Sequence, residues 1–305
     1  MISSLPVVIN PAAGAKTAVL AELNRVFMAA GVRWSVEITH GLGDAAEIAA
    51  RYAAQGAEIV AVYGGDGTIS DVATGLTGTQ TALGILPGGT GNVLAFEFDI
   101  PRNLARAAQL LVAEHAVRVV DAGDVDGRKF LLRVGVGFEA QTIRQTTRKL
   151  KEQFGLLAYG IGGLQALLDA RPVLYRLDLD GRQEEVKGVL CTIANASSFG
   201  IMPGLTLNPS IDIADGLLDV IVMDRVDLQN VIGLFTRPMD APSGLGRVKH
   251  WQVRQATIET EPTQATQVDG DTLGMTPLTI RSIANGLRVV VPPSFAERAG
   301  PGRGA

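Results

Sequence analysis

The chain carries a single cysteine, Cys191, and only three histidines, His40, His115 and His250, scattered along 305 residues. One thiol excludes an intramolecular disulfide and a four-cysteine metal site, and the histidine spacing suits no metal cluster. A reducing compartment, the cytoplasm, is therefore expected. Aromatic residues make up 5% of the chain. No apolar run approaches the roughly 18 to 20 residues that cross a bilayer, because charges, Gly or Pro break every segment. Any dealing with a membrane is expected at its surface, as peripheral association. The stretch from Met1 to Pro6 has no basic region and meets Asn10-Pro11 before a secretory signal forms. Nor is there a basic excess: 27 Lys+Arg stand against 31 Asp+Glu, a net charge of −4. Phosphate binding along a nucleic acid needs a dense basic stripe, so nucleic acid is not expected as a partner.

What the chain does have is 47% hydrophobic residues and 36 glycines. Its length suffices for two domains at about 150 residues each. Up to residue 122, short apolar runs alternate with amphipathic ones, the pattern of strand and helix in turn. Leu5 to Ile9 reads as a buried strand. Thr17 caps a helix whose Val19, Leu20, Leu23, Val26 and Phe27 recur at helical spacing and which ends at Gly31. Arg33 to Thr39 is a second strand, and Asp44 opens a helix that Gly56 closes. Ile59 to Tyr63 is the unbroken β-rich run of a parallel sheet.

Beyond Asp121 the texture changes. Asp126-Gly127 and Asp180-Gly181 each sit between alternating apolar segments, a strong hairpin signal. Tyr175 to Leu179, Val186 to Ala194, Leu217 to Met223, Val253 to Glu259, Leu278 to Ser282 and Leu287 to Val291 suit strands of an antiparallel sandwich. Helical inserts are expected near 139–152 and 156–170. The expected architecture is α/β plus β: a nucleotide-binding domain with a parallel sheet at 1–122, and a β-sandwich domain at 123–291. A C-terminal segment from about 292 is expected to return to the first domain.

Chemistry concentrates in glycine loops. Gly64-Gly65-Asp66-Gly67-Thr68 follows the strand ending at Tyr63 and precedes a helical stretch through Ile69, Val72 and Leu76. Three glycines at such a junction let backbone N–H groups approach an anion at a helix N-terminus, and phosphate is the natural anion. Asp66 would repel bare phosphate, but it suits Mg²⁺ and so brings triphosphate oxygens to the loop. A second loop, Pro87-Gly88-Gly89-Thr90-Gly91-Asn92, follows the short apolar run Leu83 to Leu86. On successive parallel strands both loops lie at the carboxyl ends, where open α/β sheets bind ligands. A P-loop is disfavoured, because Gly14-Ala15-Lys16-Thr17 has no glycine directly before the lysine, and Lys16 reads as a surface charge. A dinucleotide fingerprint is weak, because Ser70 stands where its third glycine belongs. By residue type alone, Asp215, Asp219 and Asp269-Gly270 suit turns as well as chemistry. Asp121 equally suits a strand-end cap. Arg144, Arg148, Lys149 and Lys151 read either as a solvated helix face or as a contact for anionic headgroups, which Arg225, Arg237, Arg247 and Lys249 would extend.

In chain order, Asn10-Pro11, Thr39 with Gly43-Asp44-Ala45, Gly64 to Thr68, Pro87 to Asn92 and Val120-Asp121 resemble the diacylglycerol kinase catalytic-domain family. Gly135 to Ala140, Ile193-Ala194-Asn195, Asp215 to Val220 and Val268-Asp269-Gly270-Asp271 continue the resemblance over nearly the whole chain. That family includes bacterial lipid kinases and the sphingosine and ceramide kinases. The glycine-Asp loop alone is shared with NAD kinases and phosphofructokinases, whose ATP-binding fold the resemblance implies. It also implies a kinase that moves the γ-phosphoryl group of ATP, with Mg²⁺, to the hydroxyl of diacylglycerol or a similar lipid. ATP would meet Asn10, Thr39, Gly64, Gly65, Asp66, Gly67, Thr68, Gly89, Thr90, Asn92 and Asp271. Asp66 and Asp121 would organise Mg²⁺, and a structural Mg²⁺ would take Asp215 with the backbone carbonyls of Asp212 and Leu217. Asp269 would be the general base, in a cleft between the domains.

Two departures bear on this: Val93 stands where many bacterial members carry Asp, and Asp271 where Glu is usual. The implied partners are a lipid at a membrane surface, met transiently, and a second copy of the chain as a homodimer. The competing expectations are an NAD kinase, a catalytically silent nucleotide or lipid binder, and an NAD-dependent oxidoreductase.

Overall fold

The computed structural model describes residues 4–13, 18–113, 115–137, 171–198, 210–224 and 248–298. Lys16, Thr17, both helical inserts, Arg144, Arg148, Lys149, Lys151, Arg225, Arg237 and Arg247 lie outside the described residues. The chain divides into two compact units, residues 1–122 with 284–305, and residues 123–283.

The first unit is built on parallel strands. β1 (Ser4–Ile9) lies between β2 (Arg33–Ile38) and β3 (Ile59–Gly64), and β3 pairs with β4 (Ala82–Pro87). Next to β4 runs the second half of a 14-residue strand, Leu278–Val291, through Arg288 and Val289. That strand is β16. β3 and β4 are buried at every position, which is why both read as continuous apolar runs. β2 lies at the edge of the order, and its residues are mostly exposed.

Three helices connect β1 to β4, α1 (Val19–Ala29), α2 (Asp44–Ala54) and α3 (Asp66–Leu76), and α4 (Val93–Glu97) follows β4. α5 (Leu104–Val112) follows, capped where the Asn103 side chain accepts from Arg106 N at 3.0 Å. β5 (Ala116–Val125) comes next, and α6 (Pro293–Arg298) ends the described chain. α1 begins behind Ala18, whose side chain supplies no cap.

The second unit contains two antiparallel sheets. One joins the first half of β16 to β13 (Gln255–Glu261), β8 (Val173–Leu179) and β9 (Arg182–Gly188). The other runs β12 (Val248–Val253), β11 (Leu218–Met223), β10 (Leu190–Ala194), β7 (Arg133–Gly137), β14 (Ala265–Val268) and β15 (Asp271–Met275). One core joins the two sheets: Val134, Val136, Ile193, Val220 and Val222 from one, Tyr175, Leu177, Ile258 and Ile280 from the other. Between β5 and β7 lies the short β6 (Arg128–Phe130).

Three sequence expectations are corrected here. Val186 to Ala194 is two strands in different sheets. The chain turns at Val189, whose N–H donates to Met223 O at 2.8 Å. Val253 ends β12 in one sheet while Gln255 begins β13 in the other, so Val253 to Glu259 is not one strand either. Conversely, Leu278 to Ser282 and Leu287 to Val291 are halves of one strand, and the return to the first unit starts at Ala284 rather than near 292. In each case an apolar run reports burial without saying which sheet does the burying. Among the described residues no helix is long and apolar enough to cross a membrane.

Gly75 in α3 is explained by packing. A Cβ there would lie 2.2 Å from Ala46 O and 3.0 Å from Ala46 C in α2. An ordinary Gly to Ala change inside a helix gains about 1 kcal/mol, but here two helix backbones would have to separate, and overpacking costs about 1 to 3 kcal/mol. Gly75→Ala should therefore lower the melting temperature by several degrees in a thermal melt. A rise would show that α2 and α3 do not approach so closely.

Candidate functional site

The glycine loops meet because their strands do. β3 and β4 pair with Gly64 opposite Pro87, and Gly88 N donates to Gly64 O at 2.9 Å. From that register the two backbones touch: a Cβ on Gly89 would lie 2.6 Å from Gly65 Cα. A Cβ on Gly88 would meet the Tyr63 ring at 2.8 Å, and one on Gly64 would meet Thr68 Cβ at 2.7 Å. Burial raises the Tyr63 phenol above its ordinary value, with the Glu22 charge adding, so this ring stays a neutral floor under the loop.

Side chains then lock the loops. Leu94 N, in the first turn of α4, donates to Asp66 Oδ1 at 3.0 Å, so the aspartate of the first loop caps the helix after the second. Asn92 closes its own loop, accepting from Gly89 N and donating to Gly89 O, each at 2.8 Å. Its amide shapes the loop. Asn10 Nδ2 donates to Thr68 Oγ1 at 2.9 Å, Asn10 N to Tyr63 O at 3.1 Å, and Thr39 N to Ile9 O at 3.1 Å. Asn10, Thr39, the first loop and the second loop are thus gathered at the carboxyl ends of four neighbouring strands. Asp121 is buried, and its Oδ1 accepts from Asn285 N at 2.7 Å. That contact secures β5 against β16, a structural task that no local sequence signal shows.

Gly67 differs from the other glycines of these loops. It has neither a positive φ nor any neighbour within 4 Å of the place a Cβ would take. The protein itself does not require glycine there, whereas an anion drawn to the α3 N-terminus would. This open cradle fits the phosphates of ATP. The fit to Mg²⁺ is narrower, because among the described residues no three His, Cys, Asp or Glu are grouped to hold a cation. Asp66 would have to hold it largely through phosphate oxygens and water.

In the second unit, Asp269 and Gly270 form a two-residue hairpin turn with φ of 46° and 95°. The Asp269 carboxylate accepts from Leu131 N at 3.0 Å, Leu132 N at 3.0 Å and Arg133 N at 2.9 Å. The carbonyls of the same segment are held by Asn195, which is 1% exposed. Its Nδ2 donates to Leu131 O and its N to Leu132 O, both at 2.9 Å. Asn195 and Asp269 therefore grip one peptide segment by its two kinds of polar group. The sequence shows Asn195 only as part of a resemblance, without this role. Asp271 is exposed and paired with Arg128 at 2.7 Å, a surface pair worth little by itself.

The Asp180-Gly181 turn is an internal comparison. Its φ values are 52° and 89°, and the Asp180 carboxylate accepts from Arg254 N at 3.0 Å and Gln255 N at 2.7 Å. An aspartate in such a turn can thus be wholly structural. Asp212 accepts from Ala214 N at 3.0 Å, while Asp215 accepts from Leu217 N at 2.9 Å and from Gln252 Nε2 at 3.2 Å. Both Asp215 oxygens accept from N–H donors, as they do in a turn. Nearby, the buried Asp219 Oδ1 lies 2.5 Å from His250 Nε2, a pairing the scattered histidine positions do not announce.

Comparison with known proteins agrees with this layout. The diacylglycerol kinase catalytic domain model matches residues 4–125, and the YegS C-terminal NAD kinase beta sandwich-like domain model matches residues 133–291. A Mycobacterium tuberculosis protein named diacylglycerol kinase is 31% identical over 265 residues, covering 84% of each chain. A Synechocystis protein of uncharacterized function is 31% identical over 247 residues, covering 78% of this chain but 56% of its own length. This chain therefore spans little more than half of that relative. The crystal structure of a diacylglycerol kinase from Bacillus anthracis superposes with a TM-score of 0.76 at 23% identity, covering 96% of this chain and 98% of the other, and shows the shared fold.

Gly67→Ala and Gly89→Ala separate cradle from scaffold. Gly67→Ala should not lower the melting temperature and should raise it by up to a few degrees, since its Cβ enters open space within α3, while ATP binding weakens in calorimetry. Gly89→Ala should also unfold earlier, by about 1 to 3 kcal/mol, because it pushes one backbone off another. Equal melting temperatures for the two variants would refute the backbone contact.

Proposed function

The chain belongs to the diacylglycerol kinase family, and from that premise we propose that it transfers the γ-phosphoryl group of ATP to the hydroxyl of diacylglycerol or a similar lipid. The observation that carries the reading is the pair of glycine loops bonded to each other at the carboxyl ends of β3 and β4, with Gly67 left open. Phosphoryl transfer asks little covalent chemistry of a protein and much positioning, and a rigid double loop supplies it. Backbone N–H groups at the α3 N-terminus bind phosphate oxygens, and Asp66 would hold Mg²⁺ through phosphate oxygens and water. Mg²⁺, when bound, neutralises charge on the transferring oxygens.

The acceptor hydroxyl attacks the γ-phosphorus. Its O–P bond forms as the bond to the bridging oxygen breaks, ADP leaves, and the hydroxyl proton passes to the Asp269 carboxylate. An aspartate is a weak base, so its contribution lies in position, and three backbone N–H donors fix that position. Asn195 and the segment 131–133 serve as its mount. The lipid is met at a membrane surface, approached from the cytoplasm without insertion.

The decisive measurement is transfer of γ-labelled phosphate, with Mg²⁺, to diacylglycerol, monoacylglycerol, phosphatidylglycerol, sphingosine, ceramide and NAD. Label is expected on one lipid. Label on NAD alone would reassign the chain to NAD kinases, and ATP binding without any transfer would favour a silent binder. Asp269→Asn should reduce turnover about 10²- to 10⁴-fold. Asp180→Asn should keep full turnover. Asp269→Asn should also lose stability, since Leu131 N is left facing an amide nitrogen, at about 1.5 to 3 kcal/mol for a lost bond to a charged group. Asp180→Asn should lose less, since Asp180 Oδ1 accepts from both Arg254 N and Gln255 N. Retained turnover in Asp269→Asn would remove the base while leaving the kinase.

A further inference from the structure

The sheet that carries Asp269 has an inner and an outer face. Val134, Val136, Ile193, Val220, Val222 and Val268 turn into the core between the sheets. Alternation along each strand therefore turns Gly135, Thr192, Ile221 and Gln267 to the outer face. In register they form one row across four strands: Ile221 opposite Thr192, Thr192 opposite Gly135, and Gly135 opposite Gln267. The glycine leaves a gap in that row, with Thr192 on one side and Gln267 on the other.

Gln267 is 4% exposed, and its Oε1 is buried with no hydrogen-bond partner. Buried polar atoms are nearly always paired, and leaving one unpaired costs stability. Thr192 does not answer it across the gap, because its hydroxyl donates to Val134 O at 3.4 Å. The gap thus has a bare floor at Gly135 and an unused acceptor in its wall.

It also lies beside the proposed base. The Asp269 carboxylate accepts from Arg133 N at 2.9 Å. Gly135 is two residues further along β7 and Gln267 two residues back along β14, each about 7 Å of strand. Arg133, the outward side chain next to Gly135, is drawn to Ser198 O at 3.0 Å, in the segment that follows β10. The same face holds a second buried oxygen without a partner, Asp219 Oδ2. Asp219 is in β11, three strands from β14, or about 14 Å. A headgroup whose hydroxyl sits at Asp269 therefore reaches Gln267 and not Asp219.

An amide oxygen needs a donor, and an esterified oxygen has no proton to give. Resting on the kinase reading for the reacting hydroxyl, we infer that Gln267 is a specificity-determining residue: over Gly135 it accepts from a second hydroxyl or an amine of the acceptor lipid, vicinal to the hydroxyl that reacts. The preferred acceptors are then monoacylglycerols and amino-alcohol lipids. Diacylglycerol, whose other oxygens are esterified, leaves Oε1 unpaired.

A matched pair of esters tests this with the full chain: monooctanoylglycerol, and the monooctanoyl ester of propanediol that lacks only the central hydroxyl. In calorimetry the wild type should bind the glycerol ester about tenfold tighter, the worth of one bond to an otherwise unpaired acceptor. With ATP and Mg²⁺ the ratio of kcat/KM should favour it equally. Gln267→Met should bring both ratios to about one, and Gln267→Glu, which keeps an acceptor oxygen at the same reach, should preserve them. Gln267→Met should also melt no earlier than the wild type, because it replaces an unpaired buried amide with an apolar group. Equal or undetectable binding of the two esters by the wild type, or a ratio that survives Gln267→Met, would overturn the inference. So would an earlier melt of Gln267→Met, which would give the amide a structural task. The expected binding ratio without phosphate transfer to either ester would overturn the kinase reading and leave the Gln267 contact standing.

Discussion

Two backbones in contact, at Gly65 and Gly89, hold the first unit's chemistry in place. Pairing of β3 with β4 sets Gly64 against Pro87, and only chains without side chains can continue side by side from there. Each glycine answers a different demand. Gly88 clears the Tyr63 ring, Gly64 clears Thr68, and Gly89 clears Gly65, while Gly67 clears nothing in the protein and so faces what the protein receives. The Asp66 bond to Leu94 N makes one body of both loops, so a change in either loop is felt in the other.

The second unit applies one device several times. Asp126-Gly127, Asp180-Gly181 and Asp269-Gly270 all turn with both residues at positive φ, the geometry that joins twisted antiparallel strands. At Asp180 and Asp269 the carboxylate reaches across to backbone N–H groups of a third segment and anchors the hairpin. Local geometry therefore does not separate an aspartate with a chemical role from one that only fastens a turn. What distinguishes Asp269 is its mount, a segment held from its carbonyl side by the buried Asn195.

Much of this was legible in the residue order. The buried runs of β3 and β4, the glycine loops after them and the Asp-Gly turns are set by neighbours in the chain: a strand period of two, a left-handed turn, a helix start. The resemblance to the kinase family rests on the same local motifs. The harder features join distant positions. Asp121 meets Asn285, Asn195 meets Leu131, Asp219 meets His250, and the chain changes sheets at Val189 and again at Arg254.

The sequence by itself determined where the chain can be strand, turn or phosphate loop, because those properties follow from the φ, ψ and burial preferences of adjacent residues. Only the tertiary structure decided which strand lies beside which. Pairing partners are chosen by how the cores fill and by which buried polar groups find each other, and neither is a property of any one stretch of residues.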